Sequence, residues 1–255
     1  MTQKKIGLAL SGGGIRGFAH LGVLKALEEN NIPISHIAGT SAGALMGCFS
    51  ASGLKAEEIF NLLKDKDLFS LSTIKVPHKG FLNFERLMLE MYNTLPHQTF
   101  ESLLTPLTVT VSNLNLGRVE YIKQGDVIQA SVASSSIPAV FTPVKIGDYE
   151  YCDGGVFNNL PINQLTDDCE IIIAVNISPI KEEDEIGSIS DIAMRAFQLG
   201  INANTIPELS SCDVYIEPAN IRNYGLLDSK HIDTIYEAGY LAGLDKMEEI
   251  KRLME

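Results

Sequence analysis

Tryptophan is absent from this 255-residue chain, and cysteine is scarce: Cys48, Cys152, Cys169 and Cys212 are scattered, with no CxxC spacing. The scatter offers no redox or thiolate-metal motif, and Cys48 and Cys169, in or beside apolar runs, read as buried free thiols. Histidine is sparse as well, five isolated residues, and no acidic loop has calcium-binding spacing. Neither a metal nor another cofactor is expected. Long hydrophobic runs are also missing. Behind Lys4 and Lys5 the apolar stretch is only Ile6 to Leu10, too short for a signal-peptide core, and Ala42 to Leu54 falls short of a bilayer span. A cytoplasmic location is the expectation. Basic residues are the minority, 20 against 32 acidic ones, for a net charge of -12. That balance repels phosphate backbones, so nucleic acid is not an expected partner. It argues equally against permanent docking on an anionic membrane, and leaves brief contact of an apolar patch with a membrane or micelle. Nothing in the sequence speaks to oligomeric state.

What is present reads as an ordinary globular chain, 45% hydrophobic and 20% charged, without repeats or a convincing linker. One domain over residues 1–255 is the expectation. The first 53 residues alternate strand and helix. Lys5 to Leu10 is a short apolar strand, Ser11 to Gly14 a glycine-rich turn, and Ile15 to Glu29 a helix. His36 to Gly39 is a second strand, and Ser41 opens an almost wholly apolar helix ended by Gly53. Such alternation implies an α/β fold with a parallel sheet and helices on its faces. Asp65 to Phe100 is irregular, broken by Pro77, Gly80 and Pro96. Its Phe69, Phe81, Phe84, Met88, Met91 and Tyr92 predict a small helix packed on the core, or else a lid or acyl-chain wall. Further on, Leu107 to Val111 and Val119 to Ile122 read as paired strands, Asp126 to Ser135 as a helix, and Val140 to Tyr151 as extended with a Gly147-Asp148 turn. Glu170 to Val175 is a strand buried on both faces, Asp191 to Asn204 a helix, Asp213 to Ile216 a last strand, and His231 to Met254 a closing helix.

Three segments carry chemistry. Gly39-Thr40-Ser41-Ala42-Gly43 is a G-x-S-x-G pentapeptide at a strand-to-helix turn. A serine there sits in a tight, strained turn that exposes its hydroxyl, and the flanking glycines let strand and helix approach. The helix starting at Ser41 adds free amides and a positive dipole end. A serine hydroxyl needs a base. Asp153, in Asp153-Gly154-Gly155, is the candidate, although Asp-Gly is also a hairpin-turn signal. Ser11-Gly12-Gly13-Gly14-Ile15-Arg16-Gly17 exposes consecutive glycine amides ahead of a helix, with Arg16 beside them, as an oxyanion site requires. The same Gly12-x-Gly14-x-x-Gly17 pattern is also a dinucleotide fingerprint, but the second strand runs into Gly39-Thr40-Ser41 with no carboxylate to hold a ribose. Ser41, Asp153 and His231 also fall in the chain order of a Ser-Asp-His triad. Ser52-x-x-Lys55 and Ser72-x-x-Lys75, without a Lys-Thr-Gly companion, read as chance.

Taken together, the glycine-rich loop with Arg16, the Gly39–Gly43 elbow and Asp153-Gly154-Gly155 resemble the patatin-like phospholipase family in order and spacing. Ser131 to Pro138 is similar to the family's serine-rich stretch ahead of the base. The resemblance covers about residues 5–176, leaving a helical segment of about 189–254 to pack on that core. It implies a three-layer α/β/α fold with a central, mostly parallel sheet, and a cofactor-independent hydrolase of lipid acyl esters. It also implies a dyad of Ser41 and Asp153 without histidine, and an oxyanion loop of Gly12, Gly13, Gly14 and Arg16. A dinucleotide-binding module and a triad esterase are the alternatives.

Overall fold

The computed structural model describes residues 4–65, 84–182, 187–227 and 229–255. Eight strands form one sheet: β1 (Ile6–Leu10), β2 (His36–Thr40), β3 (Leu107–Asn113), β4 (Arg118–Ile122), β5 (Val144–Ile146), β6 (Tyr149–Asp153), β7 (Ile171–Val175) and β8 (Val214–Ile216). Their order is β5-β6-β3-β2-β1-β7-β8, with β4 also on β3. The central pairings β1–β2, β1–β7, β2–β3 and β7–β8 are parallel, and those of β4, β5 and β6 antiparallel.

Every residue of β1, β2 and β7 is buried; β1 and β7 are the unbroken apolar runs expected of strands covered on both faces, and β2 adds two polar ends, His36 and Thr40. The two faces differ in depth. Leu8, Leu10, Ile37, Val109, Ile173 and Val175 point into the main core, shared with α1 (Phe18–Glu29), α2 (Ala42–Ala51), α3 (Ala56–Asp65) and α5 (Val127–Ser134). The opposite face presents Ala9, Ala38 and Ala174, small enough for Leu160, Ile162 and Leu165 to close over it in a thin third layer of 3-10 turns.

The expected elements lie where the sequence places them, with two differences. The helix after the glycine loop opens with a 3-10 turn, Gly14–Gly17, before α1 begins. The closing helix is two, α7 (Ile232–Asp245) and α8 (Met247–Met254), broken at Lys246, whose N–H turns back to Gly243 O and buries Met247 and Ile250. α7 crosses α1 at very short range: a Cβ on Gly239 would stand 2.0 Å from Ala19 O. In the irregular region, α4 (Glu85–Thr94) is the packed helix expected, burying Leu87 and Met91. Phe69, Pro77, Gly80, Phe81 and the Ser72–Lys75 motif lie outside the described residues. The long helix α6 (Ile189–Thr205) spans the predicted Asp191–Asn204. Among the described residues no helix is long and apolar enough to cross a membrane.

Candidate active site

Ser41 stands alone between the last residue of β2 and the first of α2, with φ 54 and ψ -122. A non-glycine residue at that φ is strained, and the surroundings hold it there. Its N–H donates to Ser134 Oγ at 2.8 Å, and the Ser134 hydroxyl donates in turn to Thr110 O at 2.6 Å. The flanking glycines are sterically required: a Cβ on Gly43 would stand 2.1 Å from Leu10 O, and one on Gly39 2.6 Å from Gly43 O.

Asp153 reaches this serine through the sheet. β2 pairs with β3 up to Thr40–Thr110, and β6 pairs with β3 from Asn113–Tyr151 to Val111–Asp153. Because β4 occupies the other edge of β3, β2 and β6 share one edge and run head to head. The serine leaves β2 where the aspartate ends β6. Ser41 Oγ donates to Asp153 Oδ2 at 2.6 Å across 112 residues of sequence. Gly155 N–H donates to Asp153 Oδ1 at 2.8 Å, and Asp153 N–H to Ser136 O at 2.9 Å. Ser112 Oγ donates to Asp153 O at 2.8 Å. Asp153 is 1% exposed. Burial raises it from 3.8 to about 7, against the opposing pull of the Ser41 and Gly155 hydrogen bonds.

The glycine loop lies beside this pair, but its three amides are not equivalent. Gly12 N–H already donates to Asn159 O at 3.2 Å, so it does not stand free as expected. Those of Gly13 and Gly14 have no protein acceptor among the described residues. Gly14 has φ +57, and a Cβ there would meet Leu226 O at 2.2 Å. Arg16 is buried and directs its guanidinium at backbone carbonyls: Nε donates to Tyr224 O at 2.8 Å, and Nη1 to Ile177 O at 3.3 Å. It ties the loop to the segments behind it.

Two clefts meet at Ser41. The more polar one brings Arg16, Asp153, Asn159, Lys181, Arg195 and Gln198 together with Gly12 to Gly14 and with apolar Ile137, Ile180, Phe197, Ile201 and Leu226. The other is apolar, lined by Ala42, Leu45, Phe84, Ile137, Phe141, Leu226 and Leu227. Phe84, stacked on Phe141 at 4.1 Å between ring centroids, is thus a wall of the apolar cleft.

No histidine among the described residues hydrogen-bonds Ser41 or Asp153. His231 precedes α7 with its ring against Tyr224 at 5.6 Å. His20 is fully buried behind the loop, its Nε2–H donating to Ser11 O at 2.8 Å, and burial lowers it to about 4, so the ring is neutral. β2 closes on Thr40, whose hydroxyl donates to Asn158 O at 2.9 Å, and the strand itself carries no carboxylate for a ribose. Among the described residues no cluster of histidine, cysteine and carboxylates could hold a metal ion.

Several residues at the site escaped the sequence reading. Asn204 on α6 braces the loop after the aspartate: its Nδ2 donates to Gly155 O at 2.8 Å and its Oδ1 accepts from Asn159 N–H at 3.0 Å. Asn159 is fully buried in the polar cleft. The doubled Asn158-Asn159 just after Asp153-Gly154-Gly155 was the available signal, and it has no meaning until the loop's path is known.

The sequence pattern of the Patatin-like phospholipase family matches residues 8–166. Lysophospholipase NTE1 of Kluyveromyces lactis is 26% identical over 288 residues, which cover 100% of this chain and 20% of that protein. An uncharacterized NTE family protein of Mycobacterium tuberculosis is 27% identical over 270 residues, covering 95% of this chain and 46% of the relative. The chain therefore spans from a fifth to under half the length of these relatives. Among solved structures, VipD from Legionella pneumophila superposes with a TM-score of 0.58 at 17% identity, covering 97% of this chain and 67% of that one. This likeness extends to the fold.

Proposed function

The chain belongs to the patatin-like phospholipase family, and from that premise we propose that it hydrolyses acyl esters of lipids through Ser41 and Asp153. The observation that carries this reading is the 2.6 Å hydrogen bond from Ser41 Oγ to a buried carboxylate, set where the apolar and polar clefts meet. The apolar cleft receives the acyl chain, and the polar cleft the alcohol portion. Asp153 takes the Ser41 proton as the serine oxygen attacks the ester carbonyl, and the N–H groups of Gly13 and Gly14 receive the developing oxyanion. Collapse of the intermediate breaks the ester C–O bond, and the departing alkoxide takes the proton from Asp153. Water then attacks the acyl-enzyme, gives its proton to Asp153, and releases the fatty acid as Ser41 recovers its hydrogen. A base raised to about 7 by burial suits this exchange near neutral pH. Arg16 shapes the loop through the carbonyls it grips. The fungal relative's name, a lysophospholipase, makes single-chain phospholipids the first substrates to assay.

The test is covalent labelling by a fluorophosphonate probe, followed by turnover of an ester series of increasing chain length. Wild type should label on Ser41 and hydrolyse the esters, and Ser41→Ala should do neither. Labelling elsewhere, or hydrolysis by Ser41→Ala, would refute the assignment.

A further inference from the structure

The helix α6 is amphipathic in the reverse sense for an element packed on a core. Among its described residues only Ile201 and Thr205 are buried, and the side toward the molecule also carries Arg195, Gln198 and Asn204. The outward side is apolar. Ile189 is 87% exposed, Ile192 57% and Leu199 50%, and Ile206, which opens the 3-10 turn that follows, is 58% exposed. Ala196 and Ala203 lie exposed between them. A helix facing water normally turns its apolar stripe inward, so this face calls for a partner.

The spacing identifies that partner. Positions 189, 192, 196, 199, 203 and 206 step alternately by three and four, the seam of a two-helix coiled coil. Laid antiparallel on a second copy, about a two-fold axis at its middle, the seam sets Ala196 against Leu199, Ile192 against Ala203, and Ile189 against Ile206. Each inner layer joins a large side chain to a small one, and symmetry repeats it, as an isologous contact requires. In a parallel pair Leu199 would meet Leu199 and Ala196 would meet Ala196, overfilling one layer and leaving a void in the next.

Charge agrees with this pairing. The chain's net charge of -12 opposes association of two copies. Yet the only charged residue fully exposed among those described on α6 is Asp191, which is occupied in capping with Ser188. A lipid surface fits less well. The helix has no lysine and a single arginine to meet lipid phosphates. Ile192 also stands across the helix from Ile201, which lines the polar cleft, so a bilayer on the stripe would lie behind the cleft wall.

We propose that the chain forms a two-fold homodimer through antiparallel pairing of α6. The inference does not depend on the catalytic reading. Pairing does steady the site, because Arg195 and Gln198 line the polar cleft and Asn204 braces the loop after Asp153.

The experiment is sedimentation velocity of the whole chain from about 1 to 100 μM, a range suited to an interface of one helix on each side. Wild type should pass from monomer to dimer within it. Leu199→Glu and Ala196→Lys should each raise Kd about 100-fold or more, by placing unpaired charges in the seam, and keep the wild-type circular dichroism spectrum. Mixed in equal amounts, the two variants should form a heterodimer with a Kd within about tenfold of wild type. Only the antiparallel register sets position 199 of one copy against 196 of the other. Wild type that stays monomeric throughout overturns the proposal, as does a Leu199→Glu variant that still dimerises or a mixture that does not. Flotation of monomeric wild type with phosphatidylcholine vesicles, abolished in Leu199→Glu, would assign the stripe to a membrane and overturn it likewise.

Discussion

Replacing Asp153 by Asn keeps the size of the side chain and removes its charge, so it separates the proposed role of the carboxylate as a base from what it costs the fold. Burial moves the group from 3.8 to about 7, about three units, each worth roughly 1.4 kcal/mol. The folded state holds the proton more tightly than the unfolded one. The stability associated with that proton is present in full below about pH 4 and is lost as pH rises through about 7. Above that pH the buried charge costs ~4 kcal/mol. The amide avoids this cost but offers one oxygen where Ser41 and Gly155 now use two, a loss of roughly 1–2 kcal/mol. The net gain at pH 8 is ~2–3 kcal/mol, or roughly 5–10 °C in Tm for a chain of this size. It should shrink steadily toward pH 4 and there disappear or change sign. Scanning calorimetry of both proteins from pH 4 to 8 measures the difference directly. In parallel, Asp153→Asn should lower kcat by about 10²–10⁴-fold, and wild-type kcat/KM should rise tenfold per unit up to about pH 7, then level off. A Tm difference independent of pH would refute the burial argument. A variant less stable at pH 8 would do the same.

Two further outcomes are expected. Gly43→Ala forces a Cβ to within 2.1 Å of Leu10 O, between β1 and α2, so it should cost about 3 kcal/mol or more and yield little soluble protein; a Tm near wild type would show that the elbow can relax. His231→Ala should retain ester turnover within about twofold, since the ring packs on Tyr224 rather than on the dyad; a large loss in kcat would restore the triad alternative.

Much of the fold is legible along the chain because its signals are short-range. The continuous apolar run at Ile171–Val175 demands cover on both faces wherever it sits in the sheet. Asp126 caps α5 by accepting from Gln129 N–H at 2.8 Å, three residues away. The break at Lys246 was less visible. No proline or glycine occupies the position, and the bend serves the burial of Met247 and Ile250.

The site divides along the same line. Sequence alone determined the elbow, because a strand, one strained residue and a helix can meet that closely only if Gly39 and Gly43 carry no side chain, and that constraint acts within five positions. Tertiary structure decided the rest. Whether Asp153 meets Ser41 depends on β2 and β6 sharing one edge of β3, a register set by three strands far apart in the chain. That Gly12 spends its amide on Asn159, while the Asn159 carboxamide stays unpartnered, is decided only when separate loops close on one another. Hydrogen bonding between separate loops is a property of three-dimensional neighbours, and no local pattern encodes it.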